Sequence, residues 1–337
     1  MKPAWSELRF LAILLIAATA GCGSDFGGES ADPGTPGKAV VVYTPESAGS
    51  LDALMREFQS ATGMGYSLVS PDVAEPMAQA DVYFGESFAD LWESAEADHL
   101  RPIDPSLGKL IAAPKLADPE RRFLPLSALM RGIVFNEHLV SAEEARTITD
   151  FSALADDRWR GRLCLSSSAV DGNRLLVAHL IRQYGVQEAE IAVRGWLANL
   201  AEGIVDSDAD LLLAIEARRC ALGILDFRWI GRSGWPQGVS PYPDIGGPLL
   251  LDIRGAGISR HARSPEAARH LLEWLLSARG NSAYARGWQQ VPLSREIGFD
   301  RWDEFNWRPF AEVEAQLSEL GFLLEEADRL AERAGYL

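Results

Sequence analysis

The sequence lacks the motifs that mark most classes of enzyme. It has no Walker phosphate-binding loop, no dinucleotide-type GxGxxG and no GxSxG nucleophile elbow. Its 48 acidic residues give no support to paired-carboxylate hydrolysis, because in so large a set some pair always has suitable spacing. Histidine is scarce, and none of the five has the HxxxH spacing of a metal-binding helix: His99, His138, His179, His261 and His270. We therefore expect neither enzymatic activity nor a resident cofactor; a secreted enzyme is the first rival interpretation.

The sequence also has fewer basic than acidic residues. Lys and Arg number 32 against 48 acids, a formal net charge of −16, which disfavours binding to nucleic acid or an anionic bilayer through a basic face. The composition is otherwise that of a globular protein, with 47% hydrophobic and 24% charged residues. A chain of 337 residues is long enough for two domains with a core each.

The N-terminus has the pattern of an export signal. Lys2 and Arg9 precede a short apolar run that ends in small residues, and residues 1–21 are predicted to be a signal peptide. Thr19-Ala20-Gly21-Cys22 resembles a bacterial lipobox, which predicts lipidation at Cys22. An ordinary signal peptide with an incidental cysteine is the alternative. Residues 22–37 are rich in Gly, Ser, Pro and acids, which is typical of a flexible tether behind an anchor.

Cysteine is scarce too, and only Cys164 and Cys220 remain after Cys22. Each lies at or in a predicted strand, and an exported compartment permits a disulfide between them. Two buried free thiols are the alternative. Two cysteines alone do not make a metal site.

From residue 38 onward, predicted strands alternate with predicted helices. Residues 39–44 read as a buried strand followed by a polar loop, and residues 80–87 repeat this arrangement. Further strands are predicted at 131–136, 163–165, 221–225, 249–253 and 257–259, whereas the stretch near 101–125 reads as loop. This alternation predicts an α/β fold with mainly parallel sheets.

The stretch from Ala221 to Arg232 is the strongest candidate for a ligand site. An apolar strand, residues 221–225, turns abruptly into Asp226, Phe227, Arg228 and Trp229. In open α/β sheets, ligands bind outside the carboxyl ends of strands, which is where these side chains are expected. Pairing of Asp226 with Arg228 on a solvated loop is the alternative.

In order along the chain, several segments resemble the iron-type solute-binding proteins of bacterial ABC importers, in the broad ferric-ion-binding family. The resemblance covers roughly residues 39–337. It rests on four ordered segments: VVVYTPESAGSLDALMREFQSATG, ADVYFGESFADLWESAEADHLRPID, RGIVFNEHLV with DFSALADDRWRGRLCLSSS, and SPEAARHLLEWLLSARGNSAYARGWQQVPL. The family implies a two-lobed, type II periplasmic-binding-protein-like fold with a hinge cleft. Lobe 1 is then expected at 38–130 and 249–337, and lobe 2 at 131–248.

The resemblance also implies roles for individual residues. Glu86 occupies the place of a carboxylate iron ligand, and Ser47 falls about where some members have a histidine ligand. The paired tyrosines that grip ferric iron fall at Arg228 and Trp229, and an Arg at the metal position would repel the ion. Arg instead suits carboxylate or phosphate, so no metal site is expected, with Glu86 the one candidate ligand if ferric iron binds.

The sequence thus predicts a monomeric, lipid-anchored solute-binding protein on the periplasmic side of the cell envelope, serving an ABC permease. Its ligand is expected to be a small anionic or zwitterionic solute or an iron chelate. A ferric-iron-binding protein using other ligands and an envelope sensor reusing the fold are further alternatives. The predicted cleft residues share positions at strand ends or the loops that follow: Thr44, Ser47, Glu86, Ser167, Asp206, Asp226, Arg228 and Trp229.

Overall fold

The fold is described by a computed structural model. It describes residues 39–45, 48–227, 236–241, 249–288, 290–297 and 317–337. The predicted site residues Ser47, Arg228 and Trp229, and the predicted lipidation site Cys22, lie outside these ranges. In the described ranges, no helix combines the length and hydropathy that a bilayer span needs.

The described strands are β1 (Ala39–Tyr43), β2 (Gly65–Leu68), β3 (Val82–Gly85), β4 (Leu100–Arg101), β5 (Phe123–Asn136), β6 (Leu163–Cys164), β7 (Leu222–Asp226), β8 (Val239–Pro241), β9 (Leu249–Ser259) and β10 (Val291–Pro292). Two of them are long: β5 has 14 residues and β9 has 11, and both are buried over almost their whole length.

The described α-helices are α1 (Ala48–Thr62), α2 (Pro76–Gln79), α3 (Phe88–Glu96), α4 (Pro105–Gly108), α5 (Ala142–Ala145), α6 (Asp171–Tyr184), α7 (Val186–Ala198), α8 (Asp208–Glu216), α9 (Pro265–Leu276), α10 (Ala278–Trp288), α11 (Leu317–Gly321) and α12 (Leu324–Ala334). Short 3-10 helices lie at Pro114–Leu116, Phe151–Ala155, Asp157–Trp159 and Arg295–Ile297.

The strand order is β2-β1-β3-β9-β5-β7-β6, with β4 paired to β9, and β8 and β10 paired to β5. The N-terminal part of β5 pairs with the C-terminal part of β9 beside β3, and the C-terminal part of β5 pairs with β7. These two strands therefore pass through both halves of the molecule. The first lobe contains β1 to β4 and β10, the second contains β6 to β8, and the two-lobed α/β fold is confirmed.

The expectation of mainly parallel sheets is wrong for the described strands. Only the pairings of β1 with β2 and β3, and of β6 with β7, are parallel. The pairings of β9 with β3, β4 and β5, and of β5 with β7, β8 and β10, are antiparallel. The sheet is mixed because the two long crossing strands run against their neighbours in both lobes.

Helices cover both faces of the sheet, and their apolar periodicity explains how they pack. In α1, Leu51, Leu54, Met55 and Phe58 recur at helical spacing and are buried against β1 and the α9–α10 pair. In the second lobe, α8 packs on one face of the sheet with the cysteine pair. On the other face, α6 and α7 belong to a core that continues across to α3 of the first lobe.

The C-terminal tail packs mainly on helices of the second lobe. Helix α12 lies on α6 and α7, and the buried Tyr336 hydroxyl donates to the Ser166 carbonyl at 2.8 Å. Helix α11 also reaches α3 of the first lobe, where the Phe322 ring lies edge-on to Trp92 with centroids 4.8 Å apart. The tail adopts this position because its apolar stripe, which includes Leu324 and Leu330, covers the exposed side of these helices.

Candidate ligand-binding cleft

A cleft of about 400 Å³ lies between the two lobes. Its lining residues are all polar or charged except one proline, and they come from both sides: Pro45, Glu86, Asp90 and Glu93 from the first lobe, and Asp171 and Arg174 from the second. A ligand held here would contact both lobes at once.

The first-lobe wall is built by the loop after β1 and by the start of α3. Ser87 caps α3 by accepting the backbone N–H of Asp90 at 3.0 Å, and the Asp90 carboxylate accepts the N–H of Glu86 at 2.8 Å. Glu86, Asp90 and Glu93 follow one another at intervals of four and three residues. Glu86 precedes the cap, whereas Asp90 and Glu93 lie within α3 on neighbouring turns, and all three line the cleft.

Two tyrosines stand beside these carboxylates. Tyr43 stacks on Tyr83 with ring centroids 5.8 Å apart, and the Tyr83 hydroxyl donates to the Asp90 carboxylate. Burial raises the pKa of Tyr43, and the negative charges of Asp90 and Glu86 raise it further. Burial likewise raises the pKa of Tyr83, with a further contribution from Asp90. Without a bound cation, both phenols are therefore held neutral.

Burial also raises the pKa of the Asp90 carboxyl. Hydrogen bonds from Tyr83 and from the Glu86 backbone oppose this effect, while the carboxylates of Asp171 and Glu93 add to it. Asp171 belongs to the second lobe, so carboxylates from the two lobes repel each other across the cleft. A positively charged group between them would relieve that repulsion.

Arg174 is the cation in the described lining, and it links the two lobes. Its Nη2 lies 2.5 Å from Glu93 Oε1 in the first lobe, and its Nε and Nη2 donate to Asp328 of α12 at 2.9 and 2.8 Å. The hydrogen bond to Asp328 is the main cause that raises the pKa of the guanidinium. A third carboxylate, that of Asp171, has its Oδ1 3.9 Å from Arg174 Nη1. This positive charge is thus already shared by three carboxylates and does not make the described lining an anion site.

The described site residues predicted from sequence divide into three groups. Glu86 lines the cleft, and Thr44 is buried immediately after β1, the parallel neighbour of β3. Ser167 and Asp226 belong to the second lobe, where Ser167 is half-buried before α6 and Asp226 is the buried last residue of β7. Asp206 is exposed in the loop before α8.

Sequence reasoning missed five of the six lining residues, namely Pro45 and four charged ones: Asp90, Glu93, Asp171 and Arg174. A signal for them exists, because the charges at 86, 90 and 93, and at 171 and 174, recur at helical spacing at the starts of two helices. It also missed the buried ion pair between Arg131 and Asp208, whose Nη1–Oδ2 distance is 2.6 Å.

A metal site made only of histidine, cysteine and carboxylate side chains finds no support here. Within the described part of the chain, no group of three or more such residues is arranged to hold an ion. The two remaining cysteines are bonded to each other: the structure joins Cys164 of β6 to Cys220 before β7, with their Cα atoms 5.8 Å apart.

Comparison with known proteins extends over most of the chain. Iron uptake protein A1 of Synechocystis sp. is 22% identical over 324 residues, which cover 90% of this chain and 89% of that protein. A probable ABC transporter periplasmic-binding protein of Sinorhizobium fredii is 24% identical over 276 residues, covering 76% of this chain and 75% of that protein. The solved structure of Trichodesmium FutA (IdiA) in complex with iron and citrate matches with a TM-score of 0.76 at 24% identity, covering 89% of this chain and 100% of that one.

The fold is that of the iron-type periplasmic solute-binding proteins. The resemblance predicted from the ordered segments is thereby confirmed. No protein-family model matches the sequence. Of the described residues whose strand-end positions suggested a ligand site, Glu86 lines the cleft between the lobes.

Proposed function

We propose that this chain is the extracytoplasmic solute-binding component of an ABC importer and that it binds a small zwitterionic or anionic solute or an iron chelate. The observation that carries the proposal is the charged cleft, whose walls come from both lobes. The relatives named as an iron uptake protein and as an ABC transporter periplasmic-binding protein favour transport. Neither is named as an enzyme, which favours binding over catalysis.

The distribution of charge narrows the class of ligand. Asp90 in the cleft favours a positively charged group nearby, because burial and the carboxylates of Asp171 and Glu93 raise the cost of its ionisation. Arg228, which follows β7, supplies the charge for carboxylate or phosphate groups. A ligand that matches both sets of charges has a positive and a negative group. A zwitterion has both, and so does a chelate in which anionic groups surround the metal. The Trichodesmium protein of this fold is solved with iron and citrate, which favours the chelate.

Binding would proceed by hinge closure. Strands β5 and β9 cross between the lobes, so that bending within them opens or closes the cleft. A ligand shifts this equilibrium only if it contacts the closed state better than the open one, and residues from both lobes provide such contacts. The ion pair between Arg174 and Glu93 adds a contact of the chain's own to the closed side.

A second candidate is direct binding of ferric iron by ligands other than the tyrosine pair implied by the family. Tyr43 lies close enough to Glu86 and Asp90 for their charges to raise its pKa, and phenolate and carboxylate are the hard oxygen donors that ferric iron prefers. This candidate predicts a visible phenolate-to-iron charge-transfer band, which a chelate bound through its own oxygens would lack.

We also propose that the protein is anchored to the membrane by a lipid and delivers its ligand to an ABC permease. Lipidation at Cys22 would hold the protein on the periplasmic side of the envelope, and the tether at 22–37 would let the two lobes reach an ABC permease. We expect a monomer whose only attachment to the membrane is the lipid.

Arg228→Ala tests the role of the second-lobe loop. With ferric citrate as the probe in calorimetric titrations, we expect the loss of this charge to weaken binding by about 2–4 kcal/mol, because an anionic group is left unpaired. Arg56→Ala is the matched control, since it removes the same charge from a side chain that is 74% exposed on α1. Equal affinities for wild type and Arg228→Ala would remove Arg228 from the site.

A further inference from the structure

One buried carboxylate, that of Asp208, accepts hydrogen bonds from several chain segments that meet in the second lobe. Asp208 is 4% exposed, and its two oxygens accept four hydrogen bonds. Arg131 Nη1 and Nη2 donate to it at 2.6 and 2.8 Å, the Ser166 hydroxyl at 2.7 Å and the backbone N–H of Asp226 at 3.0 Å. These donors come from β5, from the segment after β6, and from the last residue of β7.

A second buried side chain, that of Asn173, forms hydrogen bonds to some of the same residues. Asn173 of α6 is 1% exposed, and its Nδ2 donates to the Ser166 carbonyl and hydroxyl and to the Ser167 carbonyl at 2.9–3.1 Å. Its Oδ1 accepts Arg131 Nε at 3.2 Å. The turn that carries Ser167 is thereby joined to the end of β7, although Ser167 and Asp226 are 59 positions apart in the sequence.

This network lies directly behind the cleft wall. The Arg131 guanidinium packs against Gly172, where an added Cβ would come within 3.1 Å of its Cζ, and the neighbouring Asp171 lines the cleft. Glycine at 172 therefore lets the start of α6 approach the buried charge. From the other side, the Tyr336 hydroxyl closes the network at the Ser166 carbonyl.

A buried ion pair of this kind is a weak source of stability, because desolvation of the two charges offsets most of their attraction. What it does provide is a fixed geometry, since a bidentate Arg–carboxylate contact tolerates little displacement. The feature it fixes here is the relative position of Ser167 and Asp226, beyond which the chain runs directly into Arg228 and Trp229.

We propose that Asp208 is a positioning residue that holds the ligand-bearing strand ends of the second lobe in place for binding. This inference rests on the proposed function. Asp208 does not contact the ligand; it acts through the Ser166–Ser167 turn and through the end of β7.

Asp208→Asn tests the proposal, because it keeps the shape of the side chain and removes the charge. With ferric citrate as the probe, and at a temperature where both proteins are fully folded, we expect affinity to fall by at least about tenfold. Hydrogen exchange of the ligand-free protein should become faster at the end of β7, where the Asp226 N–H loses its acceptor. Ser166→Ala, which removes one neutral hydrogen bond from the network, should shift both readouts in the same direction by less, and it serves if Asp208→Asn does not fold.

Asn199→Ala is the matched control for a purely structural effect. Asn199 is 1% exposed in the same lobe, and its Nδ2 donates to the carbonyls of Leu154 and Asp156, so its loss should lower the melting temperature without changing affinity. Equal weakening of binding by both variants, or wild-type affinity in Asp208→Asn, would overturn the proposal. If wild type does not bind ferric citrate, the proposal of that ligand is wrong, and hydrogen exchange alone tests the role of Asp208. Unchanged protection at the end of β7 in Asp208→Asn would then refute the positioning role.

Discussion

Replacing Asp252 by asparagine should stabilise the protein at neutral and alkaline pH. Asp252 lies on β9, is 4% exposed, and its Oδ1 accepts the backbone N–H groups of Phe88 and Ile253 at 2.8 and 2.7 Å. Burial raises the pKa of this carboxyl to about 7, and the negative charges of Asp171 and Asp226 contribute in the same direction. The two N–H groups oppose the shift without cancelling it.

The sign and size of the effect follow from this pKa. The ordinary value is 3.8, so between about pH 4 and pH 7 the unfolded chain has lost the proton while the folded protein still holds it. Stability is therefore lost as the pH rises through this window, and the whole cost is present above about pH 7. Each pKa unit corresponds to about 1.36 kcal/mol, so ionised Asp252 costs the folded state about 4 kcal/mol.

Asparagine offers the same Oδ1 acceptor without a charge, so Asp252→Asn avoids this cost. Urea unfolding should show the variant's advantage over wild type growing by about 3 kcal/mol between pH 5 and pH 8. Asp81→Asn is the contrasting control, because both Asp81 oxygens accept backbone N–H groups, from Val41, Arg263 and Ser264 at 2.7–2.9 Å, and an amide loses one of those acceptors. It should be less stable than wild type at pH 8. An advantage of Asp252→Asn that does not grow with pH would refute the reasoning.

Three further predictions concern the anchor, the disulfide and the interlobe ion pair. Cys22→Ala should move the protein from the membrane fraction to the soluble exported fraction, and unchanged fractionation would rule out the lipid anchor. Denatured, unreduced protein should show no free thiol from Cys164 or Cys220, and reduction should cost up to about 4 kcal/mol on the chain-entropy model, since the bond closes a loop of 56 residues. Glu93→Gln should shift the lobes toward the open state by up to about 1 kcal/mol, because its ion pair with Arg174 is partly exposed. The distance between fluorophores on the two lobes, measured without ligand, reports this shift. An unchanged distance distribution would contradict the prediction.

Local patterns in the sequence predict the strand–loop–helix units well. The helix after β1 has its apolar residues at helical spacing, Ser87 caps α3, and Pro265 is the first residue of α9. These features depend on neighbours along the chain, which a sequence displays directly. The same holds for Glu86, which follows β3 and lines the cleft.

The long crossing strands could not be predicted in the same way. In β9, Arg254 and Gly255 interrupt the apolar run, so the sequence suggests two short strands where the structure has one. Hydrogen bonds from β3 and β5 on both sides hold these residues extended. In β5, Pro125 and the irregularity between it and Ser127 obscure the first half of the strand, so the sequence predicts loop up to about residue 125 and a strand only from residue 131.

Most of the candidate site also depends on contacts between distant parts of the chain. The predicted site residue Asp206 is exposed in the loop before α8, whereas Asp208 at the start of α8 forms the buried ion pair with Arg131, which no local pattern indicates. The side chains of Glu93 and Arg174 meet only because the two lobes approach each other. No local pattern reports that approach.

Native mass spectrometry of the mature protein, incubated separately with ferric citrate and with ferric nitrilotriacetate, tests the central claim most directly. We expect one complex per protein whose added mass equals iron together with its chelator. We also expect no visible phenolate-to-iron band. Addition of a single bare iron from both chelates, with that band and with unchanged binding in Arg228→Ala, would contradict the account and favour direct ferric-iron binding by this chain.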